Sequence, residues 1–239
     1  MFTRRSPRPV PDDLPVPAAR RRLSARVLFW LRFAALRAVL VMLGSVAIYG
    51  VVNPPYTWTM AGAARQQPLV SRGWVPLAEI APAMRLAVVA AEDANFCSHW
   101  GFDMVEIRKV VAQGSSRGAS TITQQTAKNA FLWQTRSWPR KAAETLLTPQ
   151  VEAMWSKGRI LEVYLNLAEF GPGIFGIEAA ARAHFATTPD RLTEVQAARL
   201  AAVLPSPRTR SPQVASARSR SILDGARTIA RDGRAACFL

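Results

Sequence analysis

The chain is poor in the residues that usually build metal and redox centres. It has two cysteines, Cys97 and Cys237, and two histidines, His99 and His184. That is too few for a structural zinc site of four Cys or His ligands. No CxxC pair is present, and neither histidine stands near a GxSxG nucleophile turn. Lysine is scarce as well: Lys109, Lys128, Lys141 and Lys157 are the only four, so arginine supplies nearly all of a formal net charge of +15. Acidic residues are outnumbered 16 to 31, which favours an anionic partner without choosing among nucleic acid, anionic lipid and a phosphate-bearing substrate. No internal repeat occurs, and no stretch alternates with period two for long enough to demand a strand.

What is present divides the chain. Residues 1–26 form a basic tail rich in Pro and Arg. Residues 27–52 are apolar, interrupted by Arg32 and Arg37 and free of charge from Ala38 onward. Counted from Phe33, with Arg37 reaching back to the headgroups, this run reaches the length of about 20 residues needed to cross a bilayer. The arginines before it predict the N-terminus inside and the remainder outside. Tyr49, Tyr56 and Trp58 suit the outer interface, and Pro54-Pro55 ends the helix. A cleaved signal peptide fits less well, because Ala61-Gly62-Ala63 lies too far past the apolar run. A buried core helix is argued against by the arginine-rich flank. Residues 53–80 read as a linker and membrane-proximal segment. Residues 81–239 read as the main domain.

That domain carries almost only helix signals. Pro82 opens an Ala-rich run to Glu92, and Asp103 to Glu106 has the pattern of a capping box, with a stop at Gly114. Ser120 or Thr121 caps a helix running toward Leu132. A helix over residues 140–147 meets Thr148-Pro149, a fresh start or a kink. Ile160, Leu161, Tyr164 and Leu165 repeat at helical spacing, Gly171-Pro172-Gly173 breaks the run, and residues 177–185 resume it. Thr193 to Gln196 is a second capping box, for a helix ending before Pro205. The predicted class is all-α, or α with a minor hairpin.

Three segments are locally wrong for a simple core. Glu92 and Asp93 end an apolar helix, where apolar walls and the negative end of the helix dipole raise a carboxylate's pKa and make it a better base. A solvated helix end is the bland reading. Residues 117–129, RGASTITQQTAKN, pack hydroxyls, amides and two cations at a helix N-terminus, a ready anion site. Gln124, Lys128 and Phe131 share a face, as do Gln125 and Lys128. Arg140 and Glu144 lie four apart, an ordinary helical pair that also sets a carboxylate among cations able to hold a pyrophosphate.

These segments resemble the signature blocks of the family 51 glycosyltransferases, which include the polymerase module of class A penicillin-binding proteins and the stand-alone peptidoglycan transglycosylases. EDxxFxxHxGFD, RGASTITQQxxKNxFL, RKxxEtLLtpqvE and kgRILEVYLNxxEfGxGxfGieaAA occur in that order between about Trp74 and Pro207. No SxxK or KTG motif is present, so the serine-acylase chemistry of a transpeptidase is absent. The resemblance implies a lysozyme-like helical fold with a smaller membrane-proximal jaw. It implies polymerisation of a lipid-linked disaccharide (lipid II) into glycan strands for cell-wall growth. Glu92 matches the catalytic base and Glu144 the second essential carboxylate, which organises the leaving pyrophosphate directly or through a divalent cation such as Mg or Mn; no tightly bound cofactor is implied. Asp93 and Phe96 match supporting positions. Arg117, Lys128, Arg140 and Lys141 match phosphate-neutralising positions, and Arg136 joins them. Ser120, Gln124, Gln125 and Asn129 match the polar lining of the donor site. The implied partners are the lipid-linked substrate, the growing strand, membrane lipid and cell-wall synthesis proteins. The implied location is the inner membrane, with the catalytic domain periplasmic. A nucleic-acid-binding protein is disfavoured because an external domain never meets cytoplasmic DNA, and a lytic glycan-cleaving enzyme because it needs no pyrophosphate-binding cations. The truncated soluble part is expected to keep lipid affinity through residues 56–60 and 131–133.

If both cysteines face an oxidising compartment, a Cys97–Cys237 disulfide is expected. The apolar end Ala235-Ala236-Cys237-Phe238-Leu239 suggests a docked tail. The alternative is Cys97 as a small buried hydrophobe and Cys237 as a passenger.

Overall fold

The structure is a computed structural model. It describes residues 18–70, 72–114, 118–135 and 137–239; for residues 18–24 only the helical backbone is described. The expected basic tail therefore lies largely outside the described residues, as do Arg117 and Arg136.

The chain divides between Ser45 and Val46 into two compact units. The first contains most of α1 (Ala18–Val51), whose segment Ala25–Val51 is long and apolar enough to cross a membrane, with a mean hydropathy of 1.9. The helix starts well before residue 27, and its last turns belong to the second unit. That unit also takes in residues 53–80, which the sequence reading set apart as a linker. Within them α2 (Trp58–Ala64) is capped by Thr57, whose hydroxyl accepts from the Met60 amide.

The second unit is mainly helical. After α3 (Pro82–Glu92) come α4 (Met104–Ala112), α5 (Ile122–Phe131), α6 (Trp138–Met154) and α7 (Lys157–Leu167). A hairpin of β1 (Glu169–Gly171) and β2 (Ile174–Phe175) follows, turning at Pro172-Gly173, with Gly173 at φ 70°. Then come α8 (Ile177–Phe185), α9 (Glu194–Val203) and α10 (Ala217–Arg231). The core centres on α7, where Ile160, Leu161, Val163, Tyr164, Leu165 and Leu167 are all buried. One group, α3, α9 and α10, packs together; the other, α5 and α6, packs with α7.

Most helix starts follow local chemistry. Thr121 and Thr193 form full capping boxes with Gln124 and Gln196. Asp103 accepts from the amides of Val105 and Glu106, while the Glu106 carboxylate pairs with Lys109 at 3.5 Å. Of the two readings of Thr148-Pro149, the fresh start does not occur. Ser137 caps α6, which runs through Pro149, and the Thr148 hydroxyl donates to the Glu144 carbonyl at 2.7 Å. Burial of Leu147, Thr148, Val151 and Glu152 holds this stretch helical against the proline.

Candidate active site

α3 ends with Glu92 at the junction of the two helix groups. The Glu92 side chain is 13% exposed. Its Oε2 accepts from Nε2 of Gln125 on α5 at 2.9 Å, and Oε1 of Gln125 accepts from the Tyr164 hydroxyl at 3.3 Å. Burial raises the Glu92 pKa above the ordinary carboxylate range, only partly offset by the Gln125 hydrogen bond and by the cations of Arg218 and Lys128. Burial also lowers the Lys128 pKa, with Glu144 acting in the opposite direction. Tyr164, fully buried, is pushed well up and stays a neutral donor.

Asp93 has a different task. Its Oδ1 bonds Nε2 of His99 at 2.8 Å and its Oδ2 accepts from the Ile122 amide at 2.9 Å. It thereby ties the end of α3 to the start of α5, where an N-terminal amide needs an acceptor.

A cleft of about 730 Å³ is lined by Glu92, Gln125 and Lys128 together with Ser120, Arg140, Lys141 and Glu144. Glu144 on α6 is buried, and both of its oxygens are engaged. Nη1 of Arg140 donates to Oε2 at 2.6 Å, and Nζ of Lys141 donates to Oε1. Nζ of Lys141 also reaches the Ser120 hydroxyl at 3.3 Å, and Nε of Arg140 donates to the Thr135 carbonyl at 3.1 Å. One acid thus positions two cations, and Lys128 adds a third. Such a set stabilises a dianionic leaving group. Glu144 is also the residue that the resemblance offers to a divalent cation. Both oxygens already bond cations, and no group of three or more His, Cys, Asp or Glu side chains among the described residues converges to hold a metal.

Gln124 and Asn129, matched to the donor-site lining, and Phe96 and Asp93, matched to supporting positions, are not among the residues lining this cleft. Gln124 is buried because its Oε1 closes the capping box on the Thr121 amide. Asn129 is buried, its Oδ1 accepting from Gln134 at 3.2 Å. Phe96 is fully buried, its ring 6.3 Å from Phe238, with Nζ of Lys157 4.5 Å above it. Asp93 is committed to His99 and Ile122 as described. Gln125 and Lys128 line the cleft, while Gln124 and Asn129, which flank them in sequence on α5, are buried.

Residues 61–229 match the family described as Transglycosylase. The chain belongs to this transglycosylase family. It is 50% identical over 225 residues to the biosynthetic peptidoglycan transglycosylase of Jannaschia sp. (strain CCS1), covering 92% of this chain and 94% of that one. The protein of the same name from Rhodospirillum centenum (strain ATCC 51521 / SW) is 47% identical over 216 residues, 86% of this chain and 94% of that one. The one from Pseudomonas putida (strain GB-1) is 48% identical over 202 residues, 80% of this chain and 82% of that one.

The sequence reading gave no role to His99, which bonds Asp93, to Tyr164, which bonds Gln125, or to Arg218, which approaches Glu92. His99 sat in a quoted motif and Tyr164 in a quoted helix, so a signal existed for both. Arg218 lies beyond the motifs, in a helix the reading did not foresee.

The two cysteines are joined in a disulfide, with Cα atoms 5.7 Å apart. The bridge fastens the C-terminal tail to the loop following Glu92.

Proposed function

We propose that this peptidoglycan glycosyltransferase joins lipid-linked disaccharide-peptide units into glycan strands, with Glu92 as the base and Lys128, Arg140 and Lys141 holding the leaving diphosphate. The observation that carries this reading is that a desolvated carboxylate and three cations, two of them positioned by Glu144, line a single cleft. Glu92 takes the proton from the 4-hydroxyl of the acceptor sugar. That oxygen attacks the anomeric carbon of the donor strand from the opposite face, the bond to the diphosphate oxygen breaks, and undecaprenyl diphosphate leaves with inversion. The raised pKa makes Glu92 a stronger base than a solvated glutamate. The cations offset charge that grows on the leaving oxygen.

The substrate is lodged in a bilayer, and the apolar helix brings the enzyme to it. We place the catalytic unit outside the inner membrane. The arginine-rich sequence before the apolar run supports this orientation, and the disulfide suits an oxidising compartment. Met104, Val105 and Val111 on α4, and Trp100, Trp133 and Trp138 elsewhere, are exposed apolar side chains available to lipid. The test is incubation of detergent-solubilised full-length protein with labelled lipid-linked disaccharide. Long glycan strands support the reading, and intact substrate, or cleavage of preformed glycan alone, refutes it.

A further inference from the structure

The C-terminal helix reaches the active site. α10 packs on both α3 and α9. Arg218 stands in its first turn, behind the N-cap Ser216. Its Nη2 lies 3.3 Å from the Ala91 carbonyl and 3.5 Å from Oε1 of Glu92. A cation at this end of α3 meets both an open helix carbonyl and the negative end of the dipole. The rest of the tail grips the same loop. Nη1 of Arg234 donates to the Ala94 carbonyl at 3.3 Å, Nη1 of Arg85 on α3 donates to the Phe238 carbonyl at 3.3 Å, and Cys237 is bonded to Cys97.

We propose that Arg218 is a positioning residue for Glu92, fixing its carboxylate in the orientation and ionisation state that the reaction needs, and that the Cys97–Cys237 bridge holds α10 in the place where Arg218 can do so. This rests on the reading of Glu92 as the base.

The groups facing Glu92 make the role specific. Asp93 comes from the same turn, Gln125 and Lys128 from α5, and Tyr164 from α7 through Gln125. Arg140, Lys141 and Glu144 of α6 line the same cleft. On α9, Glu194 pairs with Arg227 and Arg199 points to the Gln213 carbonyl, so neither serves Glu92. Gln125 holds Oε2 and Arg218 approaches Oε1. Lys128 is needed for the diphosphate, which leaves Arg218 as the cation that accompanies Glu92 through the cycle.

The sign of the effect is fixed. Glu92 must be ionised to accept a proton. Burial pushes its pKa up, and Arg218 pulls it down. Removing the cation therefore moves the acidic limb of the rate profile to higher pH.

The experiment measures kcat and KM against pH for full-length wild type, Arg218→Met, Arg218→Lys and Cys97→Ala/Cys237→Ala, with melting curves for each. In Arg218→Met the acidic limb of kcat should rise by about half to one pH unit, the size of a charge effect at this distance when the cation is partly screened by solvent. KM should stay within about twofold. Arg218→Lys should return the limb toward wild type, and the cysteine variant should shift it upward. If Arg218→Met does not fold, Arg218→Gln against Arg218→Lys gives the same comparison. An unmoved limb in the neutral variants overturns the role of Arg218, and an unmoved limb in the cysteine variant overturns the role of the bridge. Failure of the base reading is separately visible, because Glu92→Gln would then remain active.

Discussion

Nε1 of Trp155 donates a 2.8 Å hydrogen bond to the carbonyl of Val46, tying the last turns of the apolar helix to the catalytic unit. Arg159 adds bonds to the carbonyls of Tyr49 and Val52 at 3.0 Å each, and the Tyr49 ring stacks on Phe131. Gly50 permits the approach, since a Cβ there would sit 3.1 Å from Cδ1 of Trp155.

A truncation should therefore be cut before Val46. Removing residues 1–45 should leave the melting temperature nearly unchanged. Removing residues 1–52 strips partners from Trp155 and Arg159 and should cost about 2 kcal/mol or more, roughly 5 °C, on a melting curve. The shorter protein should still bind vesicles through exposed Tyr56, Trp58 and Trp133. Met60 is buried and contributes little of the lipid contact expected from residues 56–60, whereas the loss of Tyr49 uncovers one side of Phe131. A truncated protein without vesicle affinity would contradict this surface.

Glu92→Gln preserves shape and the partnership with Gln125 while removing the base. Polymerisation should fall by about two to four orders of magnitude in the lipid-linked disaccharide assay. Turnover near wild type would take Glu92 out of the reaction.

Lys128→Ala and Arg140→Ala should each lower polymerisation about a hundredfold, because diphosphate charge is then left uncompensated in a partly dry cleft. Glu144→Gln should be nearly as damaging, since the carboxylate orients both Arg140 and Lys141. Normal rates in all three, with melting curves intact, would show that this wall does not hold the diphosphate.

The rate should climb with pH through a value above the ordinary glutamate range, because Glu92 works ionised and burial raises its pKa. Gln125→Leu removes the hydrogen bond to Oε2 and should move that limb higher still. A limb at or below the pKa of a solvated glutamate, about 4.3, would mean that Glu92 is wet during turnover.

Alkylation of unreduced, unfolded protein should label neither cysteine, and reduction should expose both. With a sequence separation of 140 between them, reduction should lower stability by up to about 5 kcal/mol in the chain-entropy account, read as a fall in melting temperature. Two labels without reductant would remove the bridge.

The sequence by itself determined the helical class, most helix ends and the candidates for the reacting groups. These are written in local signals: caps at Thr121 and Thr193, the Gly114 stop, the apolar run before Val52, and motifs whose chemistry shows in residue type. Tertiary structure decided which of those groups meet. From spacing alone Gln124 and Gln125 were equal candidates, yet a capping box turned one inward and left the other on Glu92. Pro149 looked like a break, but burial of its neighbours kept α6 whole and so set Arg140, Lys141 and Glu144 on one continuous helix. Arg218 could not be read at all, because its meeting with Glu92 spans 126 residues and depends on how α10 packs against α3. Local signals act within a few residues, where backbone geometry fixes distance. Contacts between distant segments depend on the summed burial of whole helices, and no short stretch of sequence contains that sum.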